Sequence, residues 1–272
     1  MQTGLDKRPI GIFDSGIGGL TVASAVNKTL PNEKLLYFGD TAHLPYGEKS
    51  SSSIRSFSAE IARFLVNQGC KAIVIACNSA SAVATNTVRK VVPGHIPVIN
   101  VIDPTVQYVS RRVKSGKVGV IATKATVNSR IYAKRITRSN ENLKVSMLAT
   151  PLLVSMIEEG FFNNNISQAI INSYLEKSTL NKIEALILGC THFPLIKKEI
   201  EKYYKGSVEV IDSSDIVATE LKRILEKKEL INQVNKGPKH HFYVSDLTPS
   251  FAESTGIFFG KKLKLEKKKL WA

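Results

Sequence analysis

The sequence predicts an α/β protein built on mainly parallel sheets and organised as two related halves. Three observations carry this. Short apolar runs rich in β-branched residues alternate with longer segments of helical periodicity, the pattern of strands joined by helical crossovers. The runs are continuous rather than alternating, as expected of strands buried on both faces. A length of 272 residues, at about 150 residues per domain, corresponds to roughly two domains.

The expected strands, in order, are PIGIF, KLLYF, KAIVIA, IPVINVI, KVGVIA, KVSMLA, EALILG and VEVID. The glycines of DSGIGG permit a tight turn into a helix beginning near Leu20. Ser50–Gln68 places Ile54, Phe57, Ile61, Phe64 and Leu65 on one helical stripe. Ile166–Lys177 and Asp215–Lys228 follow the same rule. GHIPVINVIDP marks a boundary near Pro97. The first domain is expected to comprise residues 1–97 plus a returning segment, 209–272, and the second residues 98–208. The halves also correspond internally. PIGIFDSG is followed 64 residues later, Phe13 to Cys77, by AIVIACNS. KVGVIATKAT is followed 69 residues later, Ile121 to Cys190, by ALILGCTH. In each half a buried strand runs into a cysteine and a small polar residue, as diverged copies would.

With 43% hydrophobic and 22% charged residues the composition is that of a globular chain. Disorder, collagen-like repeats and a disulfide scaffold are excluded. Three cysteines point to a reducing compartment. MQTGLDKRPIGIFDSG shows no apolar signal core, and no stretch of about 18 apolar residues exists, so a cytoplasmic protein without a membrane partner is expected. The net charge of +15 raises nucleic acid as a partner, but the basic residues are spread and follow no binding motif. The tail KKLKLEKKKLWA, six Lys and one Glu, reads as a solvated end dispensable for chemistry, with Leu263, Leu265, Leu270 and Trp271 available for packing.

In an open α/β sheet, ligands sit beyond the carboxyl ends of the strands. The segments there are DSGIGG, GDTAHLPYG, CNSAS and GCTHFP. DSGIGG lacks the ending of a phosphate loop, so a nucleotide is not expected. Its backbone N–H groups suit a carboxylate, and Asp14 would sit at the strand tip or act as a cap. Cys70 reads as a core hydrophobe. Cys77 and Cys190 each close a strand, and neither has zinc-ligand spacing. That leaves nucleophile or acid/base work, with His192 a candidate neighbour for Cys190. A reaction that removes an α-proton from one face and returns it to the other needs two such groups, one from each half.

FDSGIGGLTV, YFGDTAHLPYGEKS, IVIACNSAS, EEG and LGCTHFPL, in this order between about Ile10 and Asp212, resemble the aspartate/glutamate racemase family. The DSGIGG and LPYG blocks are closest in pattern to its glutamate racemases. The resemblance implies two similar α/β domains with the active site in the cleft between them. It implies cofactor-independent interconversion of L- and D-glutamate, supplying D-glutamate for peptidoglycan. Cys77 and Cys190 would be the acid/base pair, Asp14 assisting Cys77 and His192 assisting Cys190. Asp14, Ser15, Tyr46, Gly47, Asn78, Ser79, Thr191 and His192 would bind the amino acid. Asp40 and Glu158 match acidic positions near the site, with Glu159 one residue away as the alternative to Glu158. No metal or cofactor is implied. A homodimer is left open, as is contact with DNA gyrase or nucleic acid. Ser79 stands where Thr is usual, and Phe193 where Tyr is usual.

Overall fold

Buried β-branched runs have few alternatives to pairing with one another, and all eight expected runs form strands. The computed structural model describes residues 6–233 and 237–271. In the first half β1 (Ile10–Asp14), α1 (Leu20–Thr29), β2 (Leu35–Gly39), α2 (Ser51–Asn67), β3 (Ala72–Ile75), α3 (Asn78–Val83), α4 (Thr85–Val91) and β4 (Val98–Asn100) follow in order. The second half contains α5 (Ile102–Arg112), β5 (Gly116–Ala122), α6 (Lys124–Ser129), α7 (Ile131–Ser139), β6 (Leu143–Ala149), α8 (Pro151–Glu158), α9 (Asn165–Leu175), β7 (Ala185–Gly189), α10 (Lys197–Tyr204) and β8 (Glu209–Ile211). The chain then returns through α11 (Ser213–Lys227), β9 (His241–Val244), α12 (Pro249–Phe259) and β10 (Leu265–Lys267).

A six-stranded sheet has the order β10-β9-β2-β1-β3-β4, and a four-stranded sheet the order β6-β5-β7-β8. Every pairing is parallel. β4 belongs to the first sheet and β8 to the second, so each crossing falls a few residues beyond the expected 97 and 208. The run IPVINVI yields only a short strand. The Asn100 side-chain oxygen accepts from the backbone N–H groups of Ile102 and Asp103, both at 2.9 Å, and starts α5. Among the described residues no helix is long and apolar enough to cross a membrane.

Side chains alternate across the first sheet. Ile10, Ile12, Leu35, Tyr37 and Val74 lie on the face packed by α1 and α11, in a core continuous with that of the second sheet. Phe13, Leu36, Phe38, Ile73 and Ile75 face α2 through Ile54, Ile61 and Leu65. The returning segment is pinned by one buried cation. Lys71 Nζ lies 2.7 Å from Glu33 Oε2 and donates to the carbonyls of Asp6 and Leu230 at 2.7 and 2.6 Å. Both charged side chains are within 1% of full burial. Glu33 in turn accepts from the Asn232 backbone N–H at 2.7 Å. One lysine thus joins the N-terminal segment, the α1–β2 loop and the chain after α11.

Replacing Lys71 by Met keeps the stem's volume but leaves Glu33 buried without its cation. A loss of about 3–5 kcal/mol is expected, read from urea unfolding midpoints. A midpoint equal to that of the parent would show that the pair is not a fastener.

Candidate active site

Parallel registers align the strand ends. Asp14 lies beside Gly39 across β1 and β2, and Ala122 beside Gly189 across β5 and β7. The residues that follow, Asp40, Thr123 and Cys190, therefore emerge at the carboxyl edges of their sheets, as does Cys77 after β3. The two edges face each other over a narrow cleft of ≈ 30 Å³ free volume. It is lined by Cys77 and Cys190 together with Ser15, Tyr46, Gly47, Asn78, Ser79, Glu158, Thr191 and His192. A far larger open cleft, ≈ 670 Å³ between α5, β8 and α11, contains neither thiol. Chemistry rather than volume identifies the site, because the small cleft brings both thiols and His192 together.

Cys77 caps the N-terminus of α3. Its Sγ accepts from the Ala80 backbone N–H at 3.4 Å and lies 3.6 Å from Ser15 Oγ. Burial, then the charge of Asp14, push this thiol up to about 12, while the Ala80 and Ser15 hydrogen bonds act the other way. Asp14 does not line the cleft. It is fully buried beneath it, and one carboxylate oxygen accepts from the Gly16 and Gly19 N–H groups at 3.1 and 3.0 Å. Burial raises its pKa, opposed by the charge of His192 and by those N–H groups.

Cys190 Sγ stands 3.7 Å from His192 Nδ1, and His192 Nε2 stands 2.9 Å from Glu158 Oε1. Burial disfavours the imidazolium. The hydrogen bonds to Cys190 and Glu158 outweigh it and bring His192 to about 10. Glu158 lines the cleft, whereas Glu159 is an exposed residue at the end of α8. The ring approaches so closely that a Cβ on Gly18 would lie 2.5 Å from it, so only glycine fits there.

The sheets also meet through hydrogen bonds. Ser79 Oγ and Thr123 Oγ1 are 2.8 Å apart, and Tyr132 OH donates to Asn78 Oδ1 at 2.8 Å. Thr21 Oγ1 donates to the Thr191 carbonyl at 3.1 Å. Asp40, expected near the substrate, does not line the cleft. It is fully buried, and its carboxylate accepts from Tyr46 OH at 2.6 Å and Ser245 Oγ at 2.8 Å, with His43 Nδ1 at 2.9 Å. Gly16, Leu44 and Pro45, within the DSGIGG and GDTAHLPYG segments, also line the cleft, and Thr123 and Val154 join them from outside the expected segments. Thr123 was legible in principle, because it follows β5 as Cys77 follows β3. Phe193 is fully buried in the core. Among the described residues no three His, Cys, Asp or Glu side chains cluster so as to hold a metal ion.

A family profile described as Asp/Glu/Hydantoin racemase matches residues 18–221. The glutamate racemase of Chlorobaculum parvum is 43% identical over 255 residues, covering 94% of this chain and 93% of that protein. The structure of glutamate racemase from Francisella tularensis in complex with D-glutamate is similar with a TM-score of 0.91 at 43% identity, over 98% of this chain and 99% of that one. A glutamate racemase isoform from Bacillus anthracis gives a TM-score of 0.92 at 35% identity, over 97% and 98% of the two chains.

The raised pKa of His192 has a consequence for stability. The folded chain holds this proton to higher pH than the unfolded chain does. Its contribution is therefore complete below pH 6.5 and disappears as pH rises through about 10. A Glu158→Gln variant, lacking the carboxylate, should show a flatter decline across that window than the parent. Urea midpoints measured against pH decide this, and parallel profiles would refute the pairing.

Proposed function

The chain belongs to the Asp/Glu/hydantoin racemase family, and we propose that it interconverts L- and D-glutamate through two thiols, without a cofactor. The observation that carries the mechanism is the convergence of Cys77 and Cys190, one from each sheet, on one cleft. The α-hydrogen of an amino acid is a very weak acid. One thiolate removes that proton, leaving a carbanion whose charge the site must stabilise by fixed polar contacts. The opposite thiol donates its proton to the other face of the same carbon. Thiolate and thiol have then exchanged places, and the configuration is inverted.

The remaining residues supply orientation. The substrate's ammonium favours an ionised thiol by bringing a positive charge to a buried site whose Cys77 is otherwise held protonated by burial and Asp14. Ser15, Asn78 and Thr191 offer hydrogen-bonding groups beside the thiols, while Tyr46, Gly47, Ser79 and Thr123 form another part of the wall. His192, held by Glu158, passes a proton to or from Cys190 across 3.7 Å. Asp14 acts on Cys77 through its charge. The D-glutamate made in this way serves peptidoglycan synthesis, and the three free cysteines suit a cytoplasmic setting.

Cys77→Ser and Cys190→Ser should each lower racemisation in both directions by at least about 10³-fold, because each direction uses one thiol as base and the other as acid. Each variant should retain one half-reaction. Cys77 is assigned to the face that deprotonates D-glutamate and Cys190 to the face that deprotonates L-glutamate, so with an analogue bearing a β-leaving group Cys77→Ser should still eliminate HX from the L-form, and Cys190→Ser from the D-form. Both variants acting on the same enantiomer would overturn the assignment of the faces.

Circular dichroism of each glutamate enantiomer tests the activity itself. Racemisation should survive exhaustive chelation and dialysis. Activity restored only by added pyridoxal phosphate would sink the proposal.

A further inference from the structure

We propose that Trp271 is a positioning residue that holds the cleft-lining loop 40–47 in its substrate-binding conformation, a role that rests on reading the cleft as the glutamate site. The tail enters by topology. β10 runs parallel to β9, and β9 to β2, so the chain leaving β10 emerges at the edge where Asp14, Asp40 and Cys77 lie. The Lys268 N–H donates to the Val244 carbonyl at 2.8 Å and continues the tail in that direction. An antiparallel β10 would have carried it to the opposite end of the sheet.

There the indole closes an aromatic cluster. Its ring centroid lies 4.6 Å from that of His43, 5.8 Å from Phe57 and 6.3 Å from Phe38, each contact edge-to-face. His43, Trp271 and Phe57 thus pack mutually, the imidazole stacking on Phe57 at 4.1 Å. The imidazole Nδ1 meets Asp40, and Asp40 accepts from Tyr46 OH at 2.6 Å. Tyr46 and the following Gly47 line the cleft, where Gly47 approaches Thr123 so closely that an added Cβ would stand 2.8 Å away. One line of contacts therefore runs from the tail's last aromatic to the substrate wall.

The loop depends on these side chains. The Asp40 carboxylate is shared among Tyr46, His43 and Ser245, the last from the end of β9. It is a hub for the loop and the returning segment rather than a ligand for substrate. Trp271 Nε1 is buried and has no hydrogen-bond partner among the described residues. The ring, not the N–H, makes the contact, so a phenyl group is the conservative replacement.

The full chain tests this. Trp271→Ala should raise KM for both glutamate enantiomers by about 5–10-fold with kcat within about twofold, because a loosened loop lowers the fraction of molecules able to bind. Trp271→Phe should return KM to within about twofold of the parent, whereas a purely structural loss would lower the unfolding midpoint and leave KM unchanged. Trp271 is also the chain's single tryptophan. Its fluorescence should be less accessible to acrylamide when D-glutamate is bound, and this reading decides the matter if the alanine variant does not fold. A folded Trp271→Ala protein with parental KM overturns the proposal. So does unchanged quenching if that variant cannot be obtained. A parent chain without glutamate racemisation would overturn the underlying reading, and the proposal with it.

Discussion

A parallel sheet covered on both faces can expose its chemistry only at its ends, because every residue within it is committed to packing. Both sheets of this chain are entirely parallel, and each presents its carboxyl edge to the other. Their facing edges bring two cysteines, 113 positions apart by 190 − 77, into one cleft. The other features of the site follow from this arrangement. Turn glycines allow close approach, Asp14 is buried under the strand tips, and Ser79–Thr123 and Asn78–Tyr132 hydrogen bonds span the cleft. The buried Lys71–Glu33 pair serves the same end from a distance, since it fastens the returning segment that completes the first sheet.

The elements legible in the sequence were those whose patterns arise from burial alone. The apolar runs became parallel strands, most of them buried on both faces, whereas β6 at a sheet edge is largely half-buried. Ser50–Gln68 became α2 because its stripe packs on Phe13 and Phe38. β9 and β10 were not legible. They lie at one edge, are short, and interleave Lys, Glu and His with apolar residues, as edge strands do. The Lys-rich tail looked solvated because its charges dominate its composition. Its lysines are exposed, and the apolar residues expected to pack do so, Leu263 and Leu265 being buried and Trp271 reaching the aromatic cluster, a destination the sequence did not show. The short form of β4 was equally hidden, since it depends on the Asn100 side chain capping α5.

The site was legible where a residue follows a strand directly and obscure where its role depends on a partner. Cys77, Cys190 and His192 stand on the cleft wall as strand order implies. Asp40 also follows a strand, but Tyr46, His43 and Ser245 engage its carboxylate, and those partners come from the loop and from β9. Spacing cannot distinguish a carboxylate that meets substrate from one that organises a loop. Thr123 poses the opposite problem. Its position after β5 is as suggestive as that of the cysteines, but threonine is common enough at helix starts that its cap on α6 conceals its place in the cleft.

The halves supply equivalent atoms in unequal surroundings. Cys77 has a buried carboxylate near it and accepts from a helix N–H; Cys190 has an imidazole whose hydrogen bonds to Cys190 itself and to Glu158 raise its pKa well above the ordinary range. Here burial, and then the charge of Asp14, disfavour the Cys77 thiolate, while His192 Nδ1 stands 3.7 Å from Cys190 Sγ. Ser79 and Phe193 do not alter this asymmetry. Ser79 keeps the hydroxyl that meets Thr123, and Phe193 is fully enclosed by apolar neighbours. Both residues therefore leave the charges around the thiols in place.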